Sequence, residues 1–200
     1  MSKKHLFALI VWSAALTATG AVADVAQNPA DADRPSAAAQ SEAEDAAIRR
    51  VLTEFRTIRV PLSRAMEIAE RLHDGSKTAD ISFELANPPV YRVRTMRNGN
   101  VWENAIDANT GSVTGKELAS SLKELDRDDL AKMTALKWSK QEMSDAVQVA
   151  ERAAAGSALA GGLVRQEGKL NFVVVVASGD HLKEVMLEPP KVGKQSASQR

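Results

Sequence analysis

Three histidines, 26 acidic side chains and no cysteine set the limits of the chemistry this 200-residue chain can offer. His5 lies in the basic N-terminal start MSKKH, His73 in AERLHDGS (69–76) and His181 in GDHLKE (179–184). None of them takes part in a His-Glu-x-x-His or comparable metal spacing, and the lack of cysteine removes thiolate ligands, thiol nucleophiles and disulfides. Gly-x-Ser-x-Gly is absent and no serine has an evident histidine partner, so serine nucleophile chemistry has no carrier. GGLVRQEG (161–168) is too irregular to cradle a phosphate and reads as a strand start followed by a turn. Asp107 in DANTG (107–111) reads as a turn former whose carboxylate holds backbone amides. The expectation is a chain with no catalytic residues, no cofactor and no metal ligands: His73 at a helix end and His181 beside a turn are surface residues, and function lies in surfaces.

Charge removes another class of partner. Lysine and arginine number 26, equal to the acidic residues, so the formal net charge is zero and no electrostatic footprint for nucleic acid exists. The N-terminus leads to the expectation of a chain exported from the cytoplasm. MSKKH is a basic start, LFALIVWSAAL an apolar core, and Ala21-Val22-Ala23 a small-residue cleavage pattern, which together predict a signal peptide over 1–23. No later run is long enough to span a bilayer. The expected product is a periplasmic protein with no membrane span once the signal is removed.

Surfaces need elements to carry them. Residues 24–44 are rich in Ala, Pro, Ser and Asp with almost no large apolar side chain, which predicts a disordered tether. Ile48, Val51, Leu52 and Phe55 recur at helical spacing and predict an amphipathic helix within 45–60, limited by Pro61. Beyond it the chain repeats itself at a constant offset of 81: Ser63 with Ser144, Ala69-Glu70-Arg71 with Ala150-Glu151-Arg152, Gly75-Ser76 with Gly156-Ser157. Chemistry persists where identity fails, as in Tyr91 with Phe172, Val93 with Val174 and Ile106 with Leu187. These matches predict two tandem units, 61–114 and 138–192, each an α+β arrangement of one helix on a small antiparallel β-sheet. Residues 115–137, with Leu118, Leu122 and Leu125 on one stripe and Leu130 and Met133 on another, are expected to form connecting helices, and 193–200 a disordered tail.

Asn98-Gly99 between two alternating runs predicts a type I′ hairpin that sets Tyr91 opposite Ile106, Thr95 opposite Trp102 and Arg94 opposite Glu103. Tyr91, Val93, Trp102 and Ile106 then face the core, while Arg92 and Arg94 form a solvated basic strip suited to an acidic peptide. The same register in the second unit puts Phe172, Val174 and Val176 inward and turns Val173, Val175, Leu182 and Met186 outward. A sheet apolar on both faces must be covered on both. Either another segment of the chain covers those four residues or they form a partner surface.

The helix PLSRAMEIAE (61–70), the strand PVYRVRT (89–95) and VWENAIDANTGSV (101–113), closing on its Asp-Ala-x-Thr-Gly turn, resemble the PepSY domain. In the second unit MLEPPKV (186–192) stands where that turn would be. The resemblance implies a binding or inhibitory module of the cell envelope, with a protein partner such as a peptidase, rather than an enzyme. Two other readings stand beside it: a small-ligand or metal sensor, expected to show a cleft between the units, and a structural envelope factor.

Overall fold

A computed structural model describes residues 37–189; the predicted signal peptide, the first part of the tether and the tail 193–200 lie outside the described residues. Helix α1 (Ala37–Phe55) begins inside the stretch expected to be a disordered tether and ends short of residue 60. Alanine at 37–39, 43, 46 and 47 has the highest helix propensity, so a segment with too little apolar bulk for a core still forms helix. Among its described side chains, those buried are Leu52 and Phe55 of the last turns.

Two successions of the same kind follow. Helix α2 (Leu62–Leu72) precedes β1 (Lys77–Glu84), β2 (Val90–Arg97), β3 (Asn100–Asp107) and β4 (Val113–Ser121). After a 3₁₀ turn at Leu122–Glu124 and helix α3 (Arg127–Trp138), helix α4 (Met143–Ala154) precedes β5 (Ser157–Gln166), β6 (Lys169–Ser178) and β7 (His181–Leu187). The strands do not make two small sheets, as the sequence predicted. They form one antiparallel sheet of seven, in the order β4-β3-β2-β1-β5-β6-β7. The join is the short pairing of Ile81 with Gly161 and Ser82 with Ala160. A separate sheet in each half would leave β1 and β5 as exposed edges; pairing them to each other removes both.

Each hairpin register is fixed by its turn. Asn98 and Gly99 both adopt positive φ, as a type I′ turn requires, and the predicted pairs Tyr91–Ile106, Thr95–Trp102 and Arg94–Glu103 are all present. In the second half Phe172 stands opposite Leu187 and Val174 opposite Val185. Phe172, Val174 and Val176 are fully buried. At roughly 1.5–3 kcal/mol for each buried side chain of this size, a slip of one residue would forfeit several kcal/mol at once.

Helix α2 lies on β1, β2 and β3, α4 lies on β5, β6 and β7, and the two helices touch each other on this first face. The alanines at 65, 69, 146 and 150 are completely buried, which lets both helices approach the strands closely. Gly161 has the same role at the join: a Cβ there would come within 2.9 Å of the Met143 sulfur of α4. The opposite face carries Arg92, Arg94 and Met96 of β2 and Val173 and Val175 of β6, and α3 packs over it against β5 and β6. Met133 and Leu136 of α3 are buried there.

The segment 115–137 therefore differs from the expected pair of helices. It is the end of β4, a 3₁₀ turn and one helix. Leu118 is 52% exposed, so the Leu118–Leu122–Leu125 spacing is no helical stripe; Leu122 and Leu125 pack on the core from the turn alone. Pairing with β3 outweighs the helix propensity of Lys116, Glu117 and Leu118, and Gly115, at φ +71°, breaks the helical reading from within.

Candidate functional site

The repeated Ala-Glu-Arg has a physical role that its spacing did not reveal. Glu70 reaches from α2 to the start of β1, where one carboxylate oxygen accepts from the Thr78 amide (2.9 Å) and the Thr78 hydroxyl (2.7 Å). Burial pushes the Glu70 carboxyl above its ordinary range, against the pull of those two bonds. Glu151 does the same in α4, accepting from the Ala158 amide at 2.9 Å. Each helix is thus pinned to the first strand of its own half by one glutamate.

On the second face, Arg92 and Arg94 are not free cations. The Arg92 guanidinium donates from Nε and Nη2 to both oxygens of Glu84, each at 2.9 Å, and from Nη1 to Glu103 at 3.0 Å. Arg94 donates to Asp80 at 2.5 Å and to Asp129 of α3 at 3.0 Å. Burial raises the Asp129 carboxyl, but the Arg94 charge and hydrogen bond, with Lys132 behind them, hold it below its ordinary value. The strip that suggested an acidic peptide site is a closed ion-pair network, and its partner in part is α3.

The outward apolar residues of the second half divide into two groups. Val175 and Leu182 pack against the core. Val173 and Met186 stand opposite each other across β6 and β7, Val173 half-buried and Met186 42% exposed. Near Leu182 a groove of about 640 Å³ is lined by Ile48 and Leu52 of α1, by Arg56 just after it, by Asp180 of the β6–β7 turn and by His181 at the start of β7. It lies beside that turn, not between the halves, where a ligand sensor was expected to hold its cleft. Arg56 spans it, donating to the Gly179 carbonyl at 2.8 Å and to Asp180 at 2.6 Å. Trp138, at the end of α3, is 77% exposed, the most exposed large apolar side chain among those described.

A further cluster was missed. His73 caps α2, and its ring stacks on the Trp102 indole with centroids 3.8 Å apart and planes 10° from parallel. His73 Nε2 lies 2.8 Å from Glu117 Oε2, which also accepts from Asn104 Nδ2 at 2.9 Å. Burial raises the Glu117 carboxyl, but the hydrogen bonds from His73 and Asn104 and the imidazolium charge outweigh it and hold it below its ordinary value. His73 is accordingly half-buried, not the surface residue expected, while His181 is exposed. No spacing could reveal the cluster, because Glu117 was assigned to a helix and only its place in β4 brings it to His73. Asp107 behaves as read: one carboxylate oxygen accepts from the amides of Asn109 (2.8 Å) and Thr110 (2.7 Å), and these bonds lower its pKa.

Among the described residues no group of three or more His, Asp or Glu side chains is arranged to hold a metal ion, and no helix is long and apolar enough to cross a membrane. Residues 59–117 match the model of the family described as the peptidase propeptide and YPEB domain, PepSY. No curated protein matches the chain. The crystal structure of a "putative lipoprotein" from Clostridium difficile 630 aligns with 67% of this chain and 89% of its own, at 19% identity and a TM-score of 0.40.

Proposed function

We propose, on the premise that residues 59–117 are a PepSY domain, that this chain is a non-catalytic, exported protein of the periplasm that binds and restrains a peptidase of the cell envelope. The observation that carries the reading is that family match, since the family is described by its peptidase propeptides. Two things on the molecule support a binding role. Its charged groups on the sheet are bound to one another, as in the Arg92 and Arg94 networks, so they are not poised for chemistry. Its large apolar side chains that remain exposed, Trp138 and Met186, are of the kind that anchor protein interfaces. The partner surface is then the Val173–Met186 pair with Trp138, and Arg92 and Arg94 serve it only by holding α3 in place.

The second succession of helix and three strands is, on the same reading, a second PepSY-like unit over 138–192, descended with the first from one duplicated segment. Its support is the ungapped run of matches from Ser63 with Ser144 to Ile106 with Leu187, now seen at equivalent places in α2 and α4 and in β3 and β7.

The test is restraint itself. Residues 24–200 are immobilised, an envelope extract is passed over them, and any retained peptidase is assayed on casein with and without the soluble chain. Slowed hydrolysis that returns to normal with a folded Met186→Glu, Trp138→Glu variant is the expected result. A retained peptidase that cleaves casein at an undiminished rate, or the retention of no peptidase, overturns the reading.

A further inference from the structure

Among the described residues, four buried side-chain oxygens have no hydrogen-bond partner: those of Thr95, Asn104, Gln141 and Asn171. Asn171 stands apart because of where it lies. It is 3% exposed, and it shares the second face of β6 with Val173, two residues on, inside the apolar surface assigned above to a partner. Its Nδ2 donates to the Met186 sulfur at 3.9 Å, a weak acceptor, while its Oδ1, with no accessible surface, accepts from no described group. Met186 is itself 42% exposed, and its unbranched thioether chain is a cover that can move aside.

The fold does not require a polar group there. At the offset of 81 the first half carries Val90 of β2, an apolar side chain that is 7% exposed. The same backbone plan thus accepts valine at this position. A buried carboxamide with one end unpaired weakens the folded chain where a valine would not. Such a departure from complete pairing, uncompensated within the fold, is the mark of a residue kept for binding.

We infer that Asn171 is the residue by which the partner surface selects its occupant. An apolar side chain of the peptidase lies on Val173 and moves Met186 aside, and a main-chain N–H beside that side chain donates to Asn171 Oδ1. On the same face of β6, Lys169 is neutralised by Glu188 at 3.5 Å, so the docking segment needs no charge at that end. Selection is then by hydrogen bonding. A segment with proline in place of the donating residue leaves Oδ1 buried and unpaired, and is rejected. The inference rests on the peptidase reading and adds to it the chemistry of the contact.

The experiment compares Asn171→Val, which installs the residue of the first half, with the parent, both as residues 24–200. Urea unfolding is expected to give the variant a midpoint at or above that of the parent. Casein hydrolysis by the retained peptidase is then titrated with each chain. About ten times more of the variant, or greater, is expected to be needed for the same slowing. A lower midpoint makes Asn171 a structural residue and overturns the inference. A variant that slows the peptidase at the same concentration as the parent overturns it as well, and leaves restraint itself standing. Retention of no peptidase by the parent overturns the peptidase reading and the inference with it, and is visible before any variant is compared.

Discussion

The second face of the sheet is polar in the first half and apolar in the second, at positions related by the same offset. Arg92 corresponds to Val173 and Arg94 to Val175. The first face shows the same contrast near the helix ends, where His73 and Asn104 of the first half correspond to Ala154 and Val185 of the second, although Trp102 is replaced by Lys183. What the difference teaches is that the backbone plan tolerates either solution provided each is completed. Arginines are acceptable because four carboxylates meet them, and Val175 because neighbouring apolar groups cover it, while Val173 stays half-buried beside Met186. Mixing the two solutions is what should fail.

The sharpest difference concerns a residue the halves share. Gly75 adopts φ +75°, with only the flexible end of Arg97 nearby, at 3.4 Å from a Cβ placed there. Gly156 does not use positive φ; Ala155 before it does, at 52°. Instead a Cβ on Gly156 would lie 2.1 Å from the Ala177 carbonyl oxygen. The same letter is therefore kept for conformation in one half and for space in the other. Gly156→Ala is expected to cost about 3 kcal/mol, because backbone must move. Gly75→Ala is expected to cost about 1 kcal/mol, the strain of a left-handed alanine. Urea unfolding midpoints of the two variants measure the ratio, and equal losses would break the distinction.

Exchanging residues between the halves tests the completed-solution rule more directly. Arg94→Leu leaves Asp80 and Asp129 beside each other without their cation, and is expected to cost about 2 kcal/mol, the usual penalty for a broken buried pair reduced for partial exposure. Val175→Arg places a cation among apolar groups with one carboxylate, Glu184 opposite it on β7, where Arg94 has two bound to it, and a loss of about 2 kcal/mol is expected there too. Arg92→Ala, at a more open site, should cost less than 1 kcal/mol. Equilibrium denaturation ranks the three. A Val175→Arg variant as stable as the parent would show that the second face of the second half is far more open than its packing against α3 implies.

How much of this was legible follows the range of the interactions. The β2–β3 register was readable because Asn98-Gly99 fixes it locally, and the alternation beyond it does the rest. The joining of β1 to β5 was not, since Ile81 and Gly161 carry no mark of each other. β4 was read as helix because Lys116, Glu117 and Leu118 favour one, and only the β3 edge overrides them. That single error concealed the His73–Glu117 contact. The basic strip was read as balanced in part by Glu103, and the ion pairs of Arg94 with Asp80 and Asp129 were not seen. The site was less legible than the fold because contacts such as His73–Glu117 and Arg94–Asp129 join residues distant in the sequence.

A pH dependence separates the halves further. Glu117 has a depressed carboxyl pKa in the folded state, so its contribution to stability is complete above its ordinary value near 4.5 and is lost as the pH falls through that value toward the folded one. The second half holds no counterpart, since Ala154 and Val185 stand where His73 and Asn104 do. Glu117→Gln should therefore flatten the acid limb of the stability curve of the parent below about pH 5, and exchange at low pH should open α2 and β4 before α4 and β6. Opening of both halves together in acid would sink the assignment.

The smallest effect is expected where the halves meet α1. Arg56 and Asp180 are 2.6 Å apart, yet their side chains are 52% and 84% exposed. Water and salt screen such a pair, and ordering two mobile side chains offsets most of what remains. Asp180→Asn should leave the unfolding midpoint of the protein unchanged within error. The docking of α1 is then held by Leu52 and Phe55, which are 2% and 8% exposed, and not by the ion pair beside them. Phe55 meets Phe83 edge to face at 5.3 Å, on the same side of β1 as Tyr91. Phe55→Ala should accordingly free α1 with a loss of about 3 kcal/mol, felt in β1 and β2 of the first half, while Asp180→Asn leaves the helix in place. If the charge change releases α1 and the aromatic change does not, the helix belongs to the second half and the comparison between them must be redrawn.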